Sequence, residues 1–260
     1  MSVQTLPAIG LEDSGHMPLM GHLLELRRRI VRSVLAIALG AVVGWFLYPT
    51  VFRFLLHPYR DIASRSIANG DLIATSPLDG FAVRLKITAY VAIGLAMPVI
   101  LWQIWRFVSP GLHRHERRYA LPFVASAIAL FTAGAGIAYW TLPKALEWLA
   151  DVGGSNITQA YTADKYFQLI AYMMLAFGVC FEFPVLLVFL QMAGIVPNTA
   201  LRKYWRHAVV AIAVVVAVAT PSNDPFSMLA LSVPLWLFYG FAVAFGWVRD
   251  RRRRAHRASA

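Results

Sequence analysis

Three carboxylates stand where a carboxylate must have a reason. Glu182 sits inside a long apolar stretch, within Phe181-Glu182-Phe183-Pro184. A charged side chain at membrane depth costs about 2.5–3.5 kcal/mol on insertion scales, so such residues face protein or a water-filled cavity. The plain alternative is a protonated glutamate hydrogen-bonded to the carbonyl four residues back. Glu25 precedes the first apolar stretch, within His22-Leu-Leu-Glu25-Leu-Arg27. Its spacing to Arg29 allows an i,i+4 ion pair of roughly 0.2–0.5 kcal/mol, and on sequence chemistry alone that local role is favoured. Glu116 lies in His113-Arg114-His115-Glu116-Arg117-Arg118. There it is either a counter-ion inside an arginine-rich anchor or a carboxylate held for an outside cation. The two histidines and Glu116 make a poor metal site, because three adjacent guanidinium groups repel a divalent ion. No metal, cofactor or catalytic constellation is expected: GxSxG, HExxH, Walker A and dinucleotide fingerprints are all missing from the sequence.

The elements that hold these carboxylates are membrane helices. The chain has 260 residues, 59% of them apolar and 14% charged. Ordinary soluble domains run about 45–50% apolar and about 25% charged. Such a composition excludes a disordered chain, and the single cysteine, Cys180, excludes a disulfide scaffold. Spanning helices need about 20 apolar residues each. Six stretches qualify or nearly do: Ser33–Phe52, Ile87–Trp105, Tyr119–Leu142, Tyr166–Met192, Ala208–Thr220 and Phe226–Val248. The fifth is short, and Pro234 divides the sixth. The alternative is that these last two form one re-entrant hairpin. Pro184, just after Glu182, predicts a kink in the fourth. The outer loops 54–86 and 143–165 have room for short amphipathic helices, broken at Gly70, Pro77, Gly80 and Gly153-Gly154. Gly134-Ala-Gly136 reads as a close-packing face of small residues.

Charge sets the orientation. With six spans, one face carries seventeen Lys and Arg against five acids, and the other carries seven against seven. The positive-inside rule places the richer face, with both termini, in the cytoplasm. The net charge of +11 is then a matter of topology and of attraction to anionic membrane lipids, with no need for nucleic acid. Three segments follow: residues 1–32, cytoplasmic with an interfacial helix; residues 33–248, the all-α six-helix membrane domain; and residues 249–260, a basic tail. In the first, Leu19, Leu23, Leu26 and Ile30 share one arc, with Glu25 and Arg29 opposite.

Four stretches at matching topological positions resemble the TatC family, the multispanning receptor subunits of the twin-arginine protein translocase. They are His22–Arg27; Trp105–Arg118, which includes Phe107-Val-Ser-Pro110; Phe177–Pro184; and Thr220-Pro221 followed by Asp224. The resemblance implies a glove-shaped bundle with short fifth and sixth helices in a bacterial or archaeal cell membrane. It implies a protein with no enzymatic activity that binds the twin-arginine signal peptides of folded cargo. It also implies recruitment of TatA/TatB-like single-span subunits, driven by the proton-motive force, in a hetero-oligomer that can also be a homo-oligomer. By resemblance, the signal-binding residues are Glu25, Glu116, Arg27, Phe107 and Arg117, and the membrane-embedded polar or partner contacts are Glu182 and Asp224. A proton-coupled transporter of small solutes is the alternative function. Some relatives carry glutamine where Met228 stands here.

Overall fold

A computed structural model of the chain describes residues 19–66, 72–108, 120–153, 161–192, 194–222 and 224–258. They form α1 (Leu19–Ser66), α2 (Asp79–Val108), α3 (Ala120–Gly153), α4 (Ala163–Cys180), α5 (Phe183–Met192), α6 (Asn198–Lys203), α7 (Trp205–Ala219) and α8 (Pro225–Ala258). Lipid offers no partner to a peptide group, so the backbone closes its hydrogen bonds within helices. Five segments are long and apolar enough to cross: Leu23–Arg60, Asp79–Arg106, Pro122–Gly153, Ala163–Met192 and Pro225–Arg249. The sixth crossing is α7, whose 15 residues reach about 22 Å at about 1.5 Å per residue.

Several expectations shift. The outer loops hold no separate helices among their described residues, because the spanning helices themselves continue outward. α1 runs to Ser66 through Pro49 and Pro58, and α3 runs to Gly153 through Pro143. At the other end, α1 is continuous from Leu19 into the span, with no break near residue 32. Of the two helices expected to be short, only the fifth span is. α8 passes Pro234 unbroken over 34 residues, since neighbouring helices can compensate a proline in a membrane helix. The kink expected at Pro184 is a complete break between α4 and α5. Phe181 N–H donates to Phe177 O at 2.9 Å, Glu182 N–H tightens onto Val179 O at 3.1 Å, and Leu186 N–H restarts the helix on Glu182 O at 3.0 Å. Pro184 brings no N–H to the carbonyl of Cys180.

Glycines set the helix pairs. α1 and α2 are the most extensively packed pair. A Cβ on Gly40 would lie 2.8 Å from Ala92 O, and one on Gly44 would lie 3.1 Å from Thr88 O. Residues 40–44 are thus a GxxxG seam that lets two backbones touch. In the second pair, a Cβ on Gly134 would meet Phe177 O at 2.6 Å, and one on Gly178 would meet the Phe131 ring at 2.6 Å. Gly136 faces open space, so only half of the expected Gly134–Gly136 face is used.

The main core joins Tyr59, Leu142, Tyr166, Phe167, Phe177 and Leu231. It is tied at the outer end. Tyr166 Oη donates to Leu55 O at 2.7 Å, and Tyr139 Oη donates to Phe54 O at 3.0 Å. Lys86 Nζ reaches Asp164 at 2.6 Å. An isolated parallel bridge pairs Ile73 with Thr162, with Ile73 N–H on Tyr161 O at 3.1 Å and Ala163 N–H on Ile73 O at 3.0 Å. The outside of the bundle is apolar, as a lipid-facing wall must be: Leu39, Phe46, Val218 and Leu237 are all well exposed.

Candidate functional site

At the basic end, the polarity of α1 faces inward. Leu23, Leu24, Leu26 and Ile30 are exposed, whereas Arg29 is only 9% exposed. An apolar stripe turned toward lipid leaves the opposite stripe to meet α2. Arg29 Nη2 donates to Glu25 Oε1 across one helical turn, so the i,i+4 pair expected from the spacing forms. Glu25 is half-buried, while Arg27 and Arg28 are exposed. The guanidinium of Arg29 is not fully satisfied: Nε and Nη1 are sealed from solvent and have no hydrogen-bond partner.

The α1–α2 register then places the remaining groups. Gly40 meets Ala92 and Gly44 meets Thr88, four residues forward on one helix and four back on the other. Carried toward the basic face, this antiparallel register sets Arg29 level with Gln103 and Glu25 level with Phe107. Gln103 is buried on the α2 face that also carries Ala92 and Ala96, and its Oε1 has no partner. Phe107 lies in the last turn of α2. Glu116 and Arg117 lie outside the described residues, as do His113 and His115. The stems of their loop are pinned, however. Trp105 packs on Phe123 at 4.4 Å between ring centroids and on Phe189 at 5.3 Å, joining the end of α2, the start of α3 and α5. The end of α2 and the start of α3 therefore lie side by side, against α5.

Glu182 occupies the α4–α5 break. Its Oε1 is buried without a hydrogen-bond partner, so the bond to the carbonyl four residues back is not made. The break bares apolar neighbours: Cys180 and Phe183 line a groove of about 450 Å³ with Leu187, Tyr204, Ile212 and Tyr239. A second groove beside α7 shares Cys180 and Val215 with it. Glu182 lies in sequence between the groove residues Cys180 and Phe183 but does not itself line the groove.

Asp224 is a different kind of residue. It is fully buried, and its carboxylate accepts Ser227 N–H at 2.7 Å and the Ser222 hydroxyl. It is the N-cap of α8, with Pro225 in the first helical position that proline favours. Its oxygens serve that cap, which the sequence Asp224-Pro-Phe-Ser227 already encodes.

Sequence reasoning missed two groups at the basic end. Gln103 stands among Ile100, Leu101, Trp102 and Ile104, and an amide in such a run is itself a signal. Gln191, Asn198 and Arg249 form the other group. Arg249 closes the end of α5 by donating to Gln191 O at 2.8 Å and Met192 O at 3.3 Å, and Gln191 Nε2 donates to Ala242 O at 3.0 Å. Gly246 makes this possible, because a Cβ there would lie 2.1 Å from Gln191 Oε1.

Comparison with known proteins agrees with this architecture. Residues 21–234 match the family described as Sec-independent protein translocase protein (TatC). The chain is 41% identical over 250 residues to the Sec-independent protein translocase protein TatC of Frankia casuarinae, covering 93% of this chain and 68% of that one. It is 36% identical over 244 residues to that of Azotobacter chroococcum, covering 94% of each. A crystal structure of the twin-arginine translocase receptor TatC in DDM superposes with a TM-score of 0.74 at 32% identity, covering 86% of this chain and 99% of that one. A family match over most of the length, joined to a six-crossing helical bundle, means that the chain belongs to the TatC family and is a multi-pass cell-membrane subunit of the Sec-independent protein translocase.

Proposed function

We propose that this chain is the receptor that reads twin-arginine signal peptides and then gathers TatA/TatB-like single-span subunits. One observation carries the first half: Glu25 is half-buried at the inner end of α1, and the antiparallel register of α1 on α2, carried on from Gly40 and Gly44, leads toward Phe107 at the end of α2. Two carboxylates held on separate elements suit two adjacent guanidinium groups. Each carboxylate can accept a bidentate pair, a geometry that lysine does not offer. Arg27 and Arg117 flank these acids and restrain their orientation, and Phe107 offers an aromatic surface to the peptide. Glu182, unpartnered in the helix break between the groove residues Cys180 and Phe183, takes the second half by accepting a donor from a single-span partner. Asp224 contributes by fixing the start of α8 rather than by direct contact.

The test is signal-peptide affinity in detergent for Glu25→Gln, Glu116→Gln and the double variant. Charge-assisted hydrogen bonds contribute about 1.5–3 kcal/mol, so each single change should weaken binding by roughly ten- to a hundredfold, and the double change should weaken it further. Unchanged affinity in both folded single variants would falsify the site. For the second half, Glu182→Ala should leave peptide affinity intact and reduce crosslinking to a co-expressed single-span partner. Intact crosslinking would remove Glu182 from the partner contact.

A further inference from the structure

Glu25 already holds a guanidinium, that of Arg29, four residues away on its own helix. Three arginines stand in a row here, and the structure treats them differently: Arg27 and Arg28 are exposed, and Arg29 is buried. The buried one is poorly satisfied, with Nε and Nη1 sealed and unpartnered. Level with it on the facing side of α2 is Gln103, whose Oε1 is also sealed and unpartnered. Neither atom reaches water, so neither is an open ligand site. Unmatched donors and an unmatched acceptor at one level of a tight helix pair are instead what a rearrangement would match.

We propose that Arg29 is a resident competitor that an incoming signal-peptide arginine must displace from Glu25, and that it thereby sets how tightly the site holds its ligand. The proposal rests on the reading that Glu25 receives the signal peptide. Binding is then an exchange of one guanidinium for another. Glu25 passes from Arg29 to the peptide, and Arg29 turns its freed donors onto the amide oxygen of Gln103. The exchange conserves the number of ion pairs, so it favours only a cation that pairs with Glu25 at least as well as a tethered arginine does. A peptide guanidinium meets that standard with two parallel N–H donors. An ammonium is a strongly hydrated point charge without the fork geometry, and it loses to the resident arginine. Discrimination between arginine and lysine is a difference of affinities set by how each pairs with Glu25, while the cost of displacing Arg29 is common to both and lowers both affinities.

The experiment measures binding of fluorescent twin-arginine and twin-lysine signal peptides to the full-length chain in detergent. The variants are Glu25→Gln, Arg29→Gln, Arg29→Lys, Gln103→Met and the Arg29→Gln/Gln103→Met double, each checked for folding by gel filtration and thermal melting. Arg29→Gln removes the competitor and should raise twin-arginine affinity by about tenfold, the scale of one charged hydrogen bond, without lowering the arginine-to-lysine ratio. Arg29→Lys keeps the buried charge and should raise twin-arginine affinity by less; it carries the test if Arg29→Gln does not fold. Gln103→Met should weaken twin-arginine binding several-fold in the presence of Arg29 and have no effect in its absence, a coupling the double variant reads directly. If Glu25→Gln weakens binding while the Arg29 variants weaken both peptides alike, Arg29 merely supports Glu25 and the exchange is overturned. If Glu25→Gln changes nothing, the signal-site reading itself falls, and the exchange with it.

Discussion

The two ends of the bundle balance their polar groups differently. At the outer end, many polar groups find partners: Lys86 with Asp164, Tyr166 with Leu55 O, Tyr139 with Phe54 O, and Ile73 with both Tyr161 and Ala163, while Arg84 Nε, Thr88 Oγ1 and Ser227 Oγ are buried there without a hydrogen-bond partner. At the basic end, Arg29, Gln103 and Gln191 are buried with polar atoms left unmatched, and Glu182 adds another at the mid-span break. A buried donor or acceptor without a partner costs about 1–3 kcal/mol, so the basic end holds capacity for contacts that the isolated chain does not make. The outer end serves as a frame, and at the basic end the orphans Arg29 and Gln103 lie close in sequence to Glu25 and Phe107, the residues proposed to receive a signal peptide.

The largest test of this contrast uses the seam that connects the ends. Gly40→Ala would drive a methyl group into the backbone of Ala92, 2.8 Å away at the nearest atom. Overpacking of this kind costs about 1–3 kcal/mol. It should also shift the α1–α2 register that sets Glu25 against Phe107, so both the melting temperature and signal-peptide affinity should fall. An unchanged affinity would show that the basic end does not depend on the frame.

A smaller effect is expected at Asp224. Asp224→Ala removes the N-cap of α8 and leaves Ser227 N–H buried without its acceptor. Loss of such a cap costs about 0.5–2 kcal/mol. Melting in detergent should register it, whereas twin-arginine peptide affinity should stay within twofold, roughly the precision of one titration. A large loss of peptide binding would break the separation of the two ends.

The smallest belongs to Lys86→Met. The pair with Asp164 is partly exposed, with the two side chains at 35% and 22% exposure, so solvent screening limits its worth. Pairs of this kind contribute about 0–1 kcal/mol. A slight fall in melting temperature that disappears at high salt, with normal peptide binding, would fit an accessory tie. A drop as large as that of Asp224→Ala would make the pair a principal support of the frame.

The difference between the ends also explains what the sequence could reveal. Spans were legible because lipid demands long apolar runs, and the break at Pro184 was legible because a missing N–H is a property of one residue. Glu25 with Arg29 was legible because four residues is one helical turn. The Gly134–Gly136 face was visible as a spacing and the Gly40–Gly44 seam was missed, because which glycines touch depends on which helix lies opposite: Gly40 meets Ala92 and Gly134 meets Phe177, while Gly136 meets nothing. Gln103 was missed because its meaning comes from its level against Arg29, which only the antiparallel register supplies. The cap made by Asp224 was legible too, because its own neighbours, Pro225 and Ser227, spell a helix start. Extension of α1 and α3 past the hydrocarbon was hidden because prolines and polar residues there imitate loop composition.

The bridge between Ile73 and Thr162 bears on how the outer loops can vary. It is made of two main-chain hydrogen bonds, so it asks almost nothing of side-chain identity. The residues around it are free to drift in sequence while the joint persists, and a reader of aligned chains would see two unrelated, variable loops. Only one substitution type touches it directly: proline at 73 or at 163 removes a donor that the joint uses. The fastest-changing part of such a surface can therefore also be one of its fixed points, constrained by a single forbidden residue and by nothing else in the alphabet.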